Sequence, residues 1–102
     1  MNLDLIRDAI LRGDWVMSRH ARIRAGQRYI DDIGVICALL EGEIIENYPD
    51  DPRGQSCLVL GKYRDRFLHA VCALDCNGTL IIITVYEPES PKWINERMRG
   101  EK

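Results

Sequence analysis

Along this 102-residue chain the spacing of apolar residues changes near residue 43. Before that point it is helical. In NLDLIRDAILRGD, Leu3, Ile6, Ile10 and Leu11 form one stripe that ends at Gly13, which predicts a short amphipathic helix. WVM at 15–17 reads as an extended link. Ser18 is placed to N-cap a second helix through SRHARIRAGQR, although Gly26 weakens its last turn by about 1 kcal/mol. Asp31 caps a third helix and Asp32 complements its dipole. Ile33, Ile36, Cys37 and Leu40 form its apolar face, and Gly42 stops it.

From Glu43 onward the apolar residues fall in short runs bounded by turn residues, the pattern of strands. EIIENY (43–48), SCLVLGKY (56–63), FLHAVCAL (67–74) and TLIIITVY (79–86) are the candidates, and CNGT carries the Asn-Gly signal of a two-residue hairpin. Pro91 then begins PKWINERMR, which reads as a C-terminal helix with proline early and basic residues late. The expected fold is a single α+β domain over residues 1–102. Two to three N-terminal helices precede a four-stranded antiparallel β-meander and a short C-terminal helix.

If Asn77 and Gly78 make the turn, Cys76 pairs with Thr79 and the register runs out to His69 opposite Tyr86. Alternation puts His69, Val71, Thr84 and Tyr86 on one face, and Leu68, Ala70, Cys72, Ile81, Ile83 and Val85 on the other. A turn at Arg64-Asp65 or Asp65-Arg66 adds Lys62 to the first face, giving a polar row of Lys62, His69 and Tyr86. A lone histidine in an apolar strand is equally the mark of a core residue with satisfied nitrogens.

Composition narrows the class. With 46% hydrophobic and 29% charged residues, and no apolar run near the roughly 20 that span a bilayer, this is a globular domain without a membrane segment. The N-terminus carries acids within its apolar stripe and no small-residue cleavage site, so a cytoplasmic protein is expected. Cys37, Cys57, Cys72 and Cys76 form no Cys-x-x-Cys and no zinc spacing with either histidine. They are expected as reduced, mostly buried thiols, with Cys76 the most exposed and no metal or cofactor bound.

The net charge of −2 hides segregation. Residues 15–30 carry +4 from Arg19, Arg22, Arg24 and Arg28, with no acid among them, whereas residues 31–51 carry −7 and residues 52–69 carry +3. On a helix His20, Arg24 and Arg28 form one ridge, and Ala21, Ala25 and Tyr29 form a second about 100° round. The small alanines allow close packing and leave the basic ridge at the margin. Its partner is either a protein acid, such as Glu43 or Glu46, or a phosphate from outside.

RHARIRAGQRYIDDIGVICALLEGEIIENYP, then LVLG, LHAV and IIITVYEP, resembles the bacterial family of domain of unknown function 4258 over about residues 18–95. The resemblance maps His20, Arg24 and Arg28 onto a His-Ala-x-x-Arg-x-x-x-Arg helix, and Gly42 and Glu43 onto a Gly-Glu. It maps His69 onto a strand histidine, and Thr84 and Tyr86 onto a last-strand motif; Tyr29 replaces the usual glycine. The family's organisation is similar to that of small RelE and BrnT toxins, which implies a metal-independent endoribonuclease with a cognate antitoxin.

Three readings follow. In the first, RNA is cut by 2′-hydroxyl attack on the adjacent phosphate, with His20 or His69 as acid/base, Tyr86 as their partner, and Arg24, Arg28, Lys62 and Thr84 on the phosphate. In the second, the chain is a non-catalytic protein- or RNA-binding module, in a homodimer or with an antitoxin. In the third, His20, Arg24 and Arg28 pair with Glu43 and Glu46 to pin the helix to the sheet.

Overall fold

The computed structural model describes residues 1–52 and 54–100. Its elements are α1 (Leu3–Leu11), β1 (Trp15–Met17), α2 (Arg19–Gln27), α3 (Asp32–Leu40), β2 (Glu43–Tyr48), β3 (Ser56–Tyr63), β4 (Arg66–Leu74) and β5 (Leu80–Tyr86). Each helix starts on a side-chain cap. Asn2 accepts from the Asp4 amide at 2.7 Å, Ser18 from Ala21 at 3.0 Å and Asp31 from Gly34 at 2.8 Å. Tyr29 takes the left-handed position after α2 (φ 59°), where the Ile30 amide closes back on the Ala25 carbonyl.

The strands form one mixed sheet in the order β1-β5-β4-β3-β2. The expected four-stranded antiparallel meander is present as β2 to β5, but the sheet has a fifth strand. Trp15–Met17 is not a link: it pairs parallel with Leu80–Ile82, a partnership brought about by the chain passing through α2, α3 and the meander before it returns.

The expected C-terminal helix is absent. Residues 87–100 form an irregular strap over the sheet. Asn95 Oδ1 accepts from the Arg97 and Met98 amides at 2.8 and 2.9 Å, and the Ile94 amide donates to the Met98 carbonyl at 2.8 Å. These local bonds supply the partners that helical amides would otherwise need.

The β4–β5 hairpin departs from the two-residue turn as well. Its loop is Cys76 to Gly78, with Asp75 Oδ1 accepting from the Asn77 and Thr79 amides, and Cys72 pairs with Ile82. A bulge at Ile83 then absorbs one residue, so Val71 faces Thr84 and His69 faces Tyr86 as expected. The bulge also changes which residues enter the core. Leu80 and Ile82 are fully buried, and Ile81 and Ile83 only half-buried.

The helices cover the face of Cys57, Val59, Leu68, Ala70, Cys72, Leu80, Ile82 and Val85. In α1 it is Ala9 that is buried beside Ile6 and Ile10, while Leu11 is exposed. In α3 the buried residues are Gly34, Val35, Ile36, Ala38 and Leu39, and Ile33 and Cys37 face solvent, contrary to the expected stripe. Close approach sets this orientation: a Cβ on Gly61 would meet the Ala38 carbonyl oxygen at 2.5 Å. Among the described residues no helix is long and apolar enough to cross a membrane.

Candidate functional site: a cleft between helix, sheet and strap

The buried Ala21 and Ala25 let α2 lie against the sheet, and Ser18 ties its first turn to β5 by donating to the Ile83 carbonyl at 2.7 Å. One ridge round, Arg24 and Arg28 overhang a cleft of about 500 Å³. Val71 from β4, Thr84 and Tyr86 from β5, Tyr48 from β2 and the strap from Glu87 to Trp93 with Arg99 form its other walls. The basic ridge therefore faces the Tyr86 side of the sheet. Glu43 and Glu46 are engaged by the strap instead, Glu43 by Arg97 and Glu46 by a two-pronged contact from Arg99 at 2.9 and 2.8 Å.

The arginines of the ridge differ in what they do. Arg28 pairs with Glu89 at 3.0 Å and Glu87 at 3.5 Å, and Glu87 also meets Arg66 at 3.3 Å. Arg24 is half-buried on the cleft wall, and its guanidinium has no ion pair or hydrogen bond among the described residues. An unpaired guanidinium beside hydroxyls and an exposed lysine, Lys92, can receive an anion. His20 is exposed at the start of α2 and lies off the cleft wall.

His69 sits behind the cleft with 0% of its surface exposed. Its Nε2 lies 2.7 Å from the Glu96 carbonyl oxygen, which can only accept, so Nε2–H donates there. Nδ1 is then the acceptor, and the Tyr86 phenol at 3.1 Å donates to it. Burial is the main force holding the His69 pKa below its ordinary value, against the Glu96 hydrogen bond and the charge of Glu46. Burial likewise raises Tyr86. Trp93 stacks edge-on to the imidazole, 4.3 Å between centroids.

Lys62 shares the face of His69 but not its row. Leu60 stands opposite His69, and Lys62, exposed and opposite Phe67, holds its ammonium 5.6 Å from that ring's centre. Thr84, Tyr86, Arg24 and Arg28 are thus brought together at one cleft, with His69 in support of Tyr86.

Sequence reasoning did not single out Trp93, Glu96, Arg99 or Tyr48. Arg99 lies 4.7 Å over the Trp93 ring, and Tyr48 donates to Glu46 at 2.5 Å. Arg99 lowers the Glu46 pKa and is itself raised by it, while burial and Glu46 push Tyr48 up. The lone tryptophan in the polar run PKWINERMR was the available signal, hidden by assigning that run to a helix.

All four cysteines are free. Cys57 and Cys72 are buried, with burial pushing Cys57 up to about 11 and Cys72 higher still, so both remain protonated; Cys37 and Cys76 are exposed. Among the described residues no three His, Cys, Asp or Glu side chains are grouped to hold a metal ion.

Residues 17–87 match the family described as "Domain of unknown function (DUF4258)". No curated protein and no solved structure matches the chain.

Proposed function

Since this chain belongs to the family of domain of unknown function 4258, which assigns no chemistry, we propose a function from its own cleft: it binds the phosphate backbone of single-stranded RNA and cleaves it without a metal ion. The observation that carries this reading is the unpaired Arg24 on one wall of the cleft, with Tyr86 hydrogen-bonded to a buried neutral histidine on the other.

In this mechanism the 2′-hydroxyl of a bound nucleotide gives its proton to the Tyr86 oxygen as the phenol proton passes to His69 Nδ1. The 2′-oxygen forms a bond to phosphorus, and Arg24 opposes the charge that grows on the phosphoryl oxygens. The bond to the 5′-oxygen breaks, and that oxygen takes a proton from the Lys92 ammonium. The products are a 2′,3′-cyclic phosphate and a 5′-hydroxyl. His69 is suited to the task because its lowered pKa leaves it unprotonated at neutral pH. Tyr86 is the catalytic residue, and His69 positions it and stores its proton.

The resemblance to RelE and BrnT toxins adds a cytoplasmic setting and a cognate antitoxin, or a second copy of the chain, as partners. The test is cleavage of a mixed-sequence RNA in EDTA. Wild type should yield cyclic-phosphate ends, and Tyr86→Phe should slow cleavage about 100-fold; wild-type protein that cuts no RNA refutes the catalytic reading.

A second reading, RNA binding without cleavage, is favoured by the closed hydrogen bonding of His69, both of whose nitrogens are occupied within the chain. It expects affinity that falls steeply with salt, weakens in Arg24→Ala and is unchanged in Tyr86→Phe.

A further inference from the structure

We propose that the strap of residues 87–100 opens and closes over the His69 face and gates entry of the RNA chain to the cleft. The gating half rests on the reading above; the opening half does not.

The strap has the construction of a movable part. It holds its own shape, since the Ile94 amide bonds the Met98 carbonyl, the Gly100 amide bonds the Lys92 carbonyl at 2.7 Å, and Asn95 caps the turn between them. Its root is pinned, because Arg28 of α2 grips Glu87 and Glu89. Beyond the root its grip on the sheet is slight. Trp93 is its one buried apolar side chain, while Ile94 and Met98 stay 64% and 56% exposed.

The remaining attachments are polar. Two ion pairs tie its tip to β2, Arg97–Glu43 with side chains 55% and 50% exposed, and Arg99–Glu46 with side chains 56% and 26% exposed. Exposed pairs are individually weak and are screened by salt. Arg99 also donates a long hydrogen bond to the Tyr48 hydroxyl at 3.5 Å, and the Glu96 carbonyl accepts one from His69 Nε2.

What the strap covers and what it adds both fit a gate. The region matched to the family ends at Glu87, where the strap begins. Closed, it contributes Lys92, Trp93 and Arg99 to the cleft and fixes the His69 tautomer. Open, it leaves His69 and Tyr86 on an accessible sheet face.

The experiment uses the full chain with Trp15→Phe, which leaves Trp93 as its one indole. Arg97→Glu breaks a latch, and adding Glu43→Arg restores it with the charges exchanged. Acrylamide quenching of Trp93 and the rate of trypsin cutting within the strap should rise severalfold in Arg97→Glu and at high salt, and return in the exchanged pair. Quenching and cutting that stay unchanged in Arg97→Glu, or that the exchange fails to restore, overturn the opening. Association of a fluorescent single-stranded RNA should be faster in Arg97→Glu despite the added negative charge. An unchanged or slower rate with the strap shown to be open overturns the gating. If no form binds RNA, the reading above and the gating fall together, and the quenching result stands alone.

Discussion

The two faces of the sheet are closed in different ways. On one, α1, α2 and α3 bury Ile6, Val35, Leu39, Leu80, Ile82 and Val85 with no polar residue among the fully covered ones. On the other lie both buried polar residues of the described chain, Ser56 and His69, and the cover is a strap with one apolar anchor and two exposed ion pairs. An apolar interface is cooperative and insensitive to salt and pH; a polar one answers to both. The helix face therefore carries the fold, and the strap face carries the adjustable chemistry.

Substitutions on the helix face should show the largest effect. Ile82→Ala, at a fully buried position, is expected to cost about 3 kcal/mol in denaturant unfolding. Trp93→Ala removes a larger side chain that is only 3% exposed, yet should cost less, about 1–2 kcal/mol, because the strap can detach without unfolding the sheet. Equal losses in the two variants would mean that the two faces are one core, and the comparison would fail.

pH should separate the faces next. A histidine whose folded pKa lies below the unfolded value of about 6.5 takes up fewer protons folded than unfolded. Its contribution to stability is thus complete above that value and is lost as pH falls through it toward the folded pKa. Glu46, lowered chiefly by its hydrogen bond to Arg99, adds a second loss as pH falls below its ordinary value of 4.5. Stability of the wild type should therefore decline from pH 7 to 5, and His69→Gln should flatten that decline while Ile82→Ala leaves its slope unchanged. A slope insensitive to His69→Gln would place the titration elsewhere.

The same division decides what could be read from the sequence. The strands β2 and β3 were legible to the residue because Asp, Pro and Gly bound their apolar runs. The facing of His69 and Tyr86 was also legible, although two departures compensated: the loop is one residue longer than Asn-Gly implied, and the bulge at Ile83 restores the register. The buried side of α3 was not legible, since DIGVICALL is apolar all round and its periodicity carries no phase. β1 escaped because three residues show no alternation and their parallel partner is distant in sequence. The strap escaped because PKWINERMR suits a helix locally; the hydrogen bonds of Asn95 and the tertiary seat of Trp93 decide otherwise. Arg24 and Tyr86 came from spacing alone, whereas Arg99 depends on the strap.

The smallest expected change in stability comes from Arg24→Ala, and it separates a binding role from a structural one. Arg28, Arg66, Arg97 and Arg99 all spend their charge on acids of the chain. Arg24 has no such acid among the described residues, so its removal should shift stability by less than about 0.5 kcal/mol. Were it instead the pin between helix and sheet, the melting temperature would fall markedly. RNA affinity should weaken about 10-fold through loss of a charge-assisted phosphate contact, and the slope of log affinity against log salt should shrink by about one. Arg28→Ala should do the reverse, loosening Glu87 and Glu89 at the strap root while costing less affinity, because its charge is already met. A variant pair in which Arg28 carries the affinity and Arg24 the stability would invert the assignment of the cleft wall.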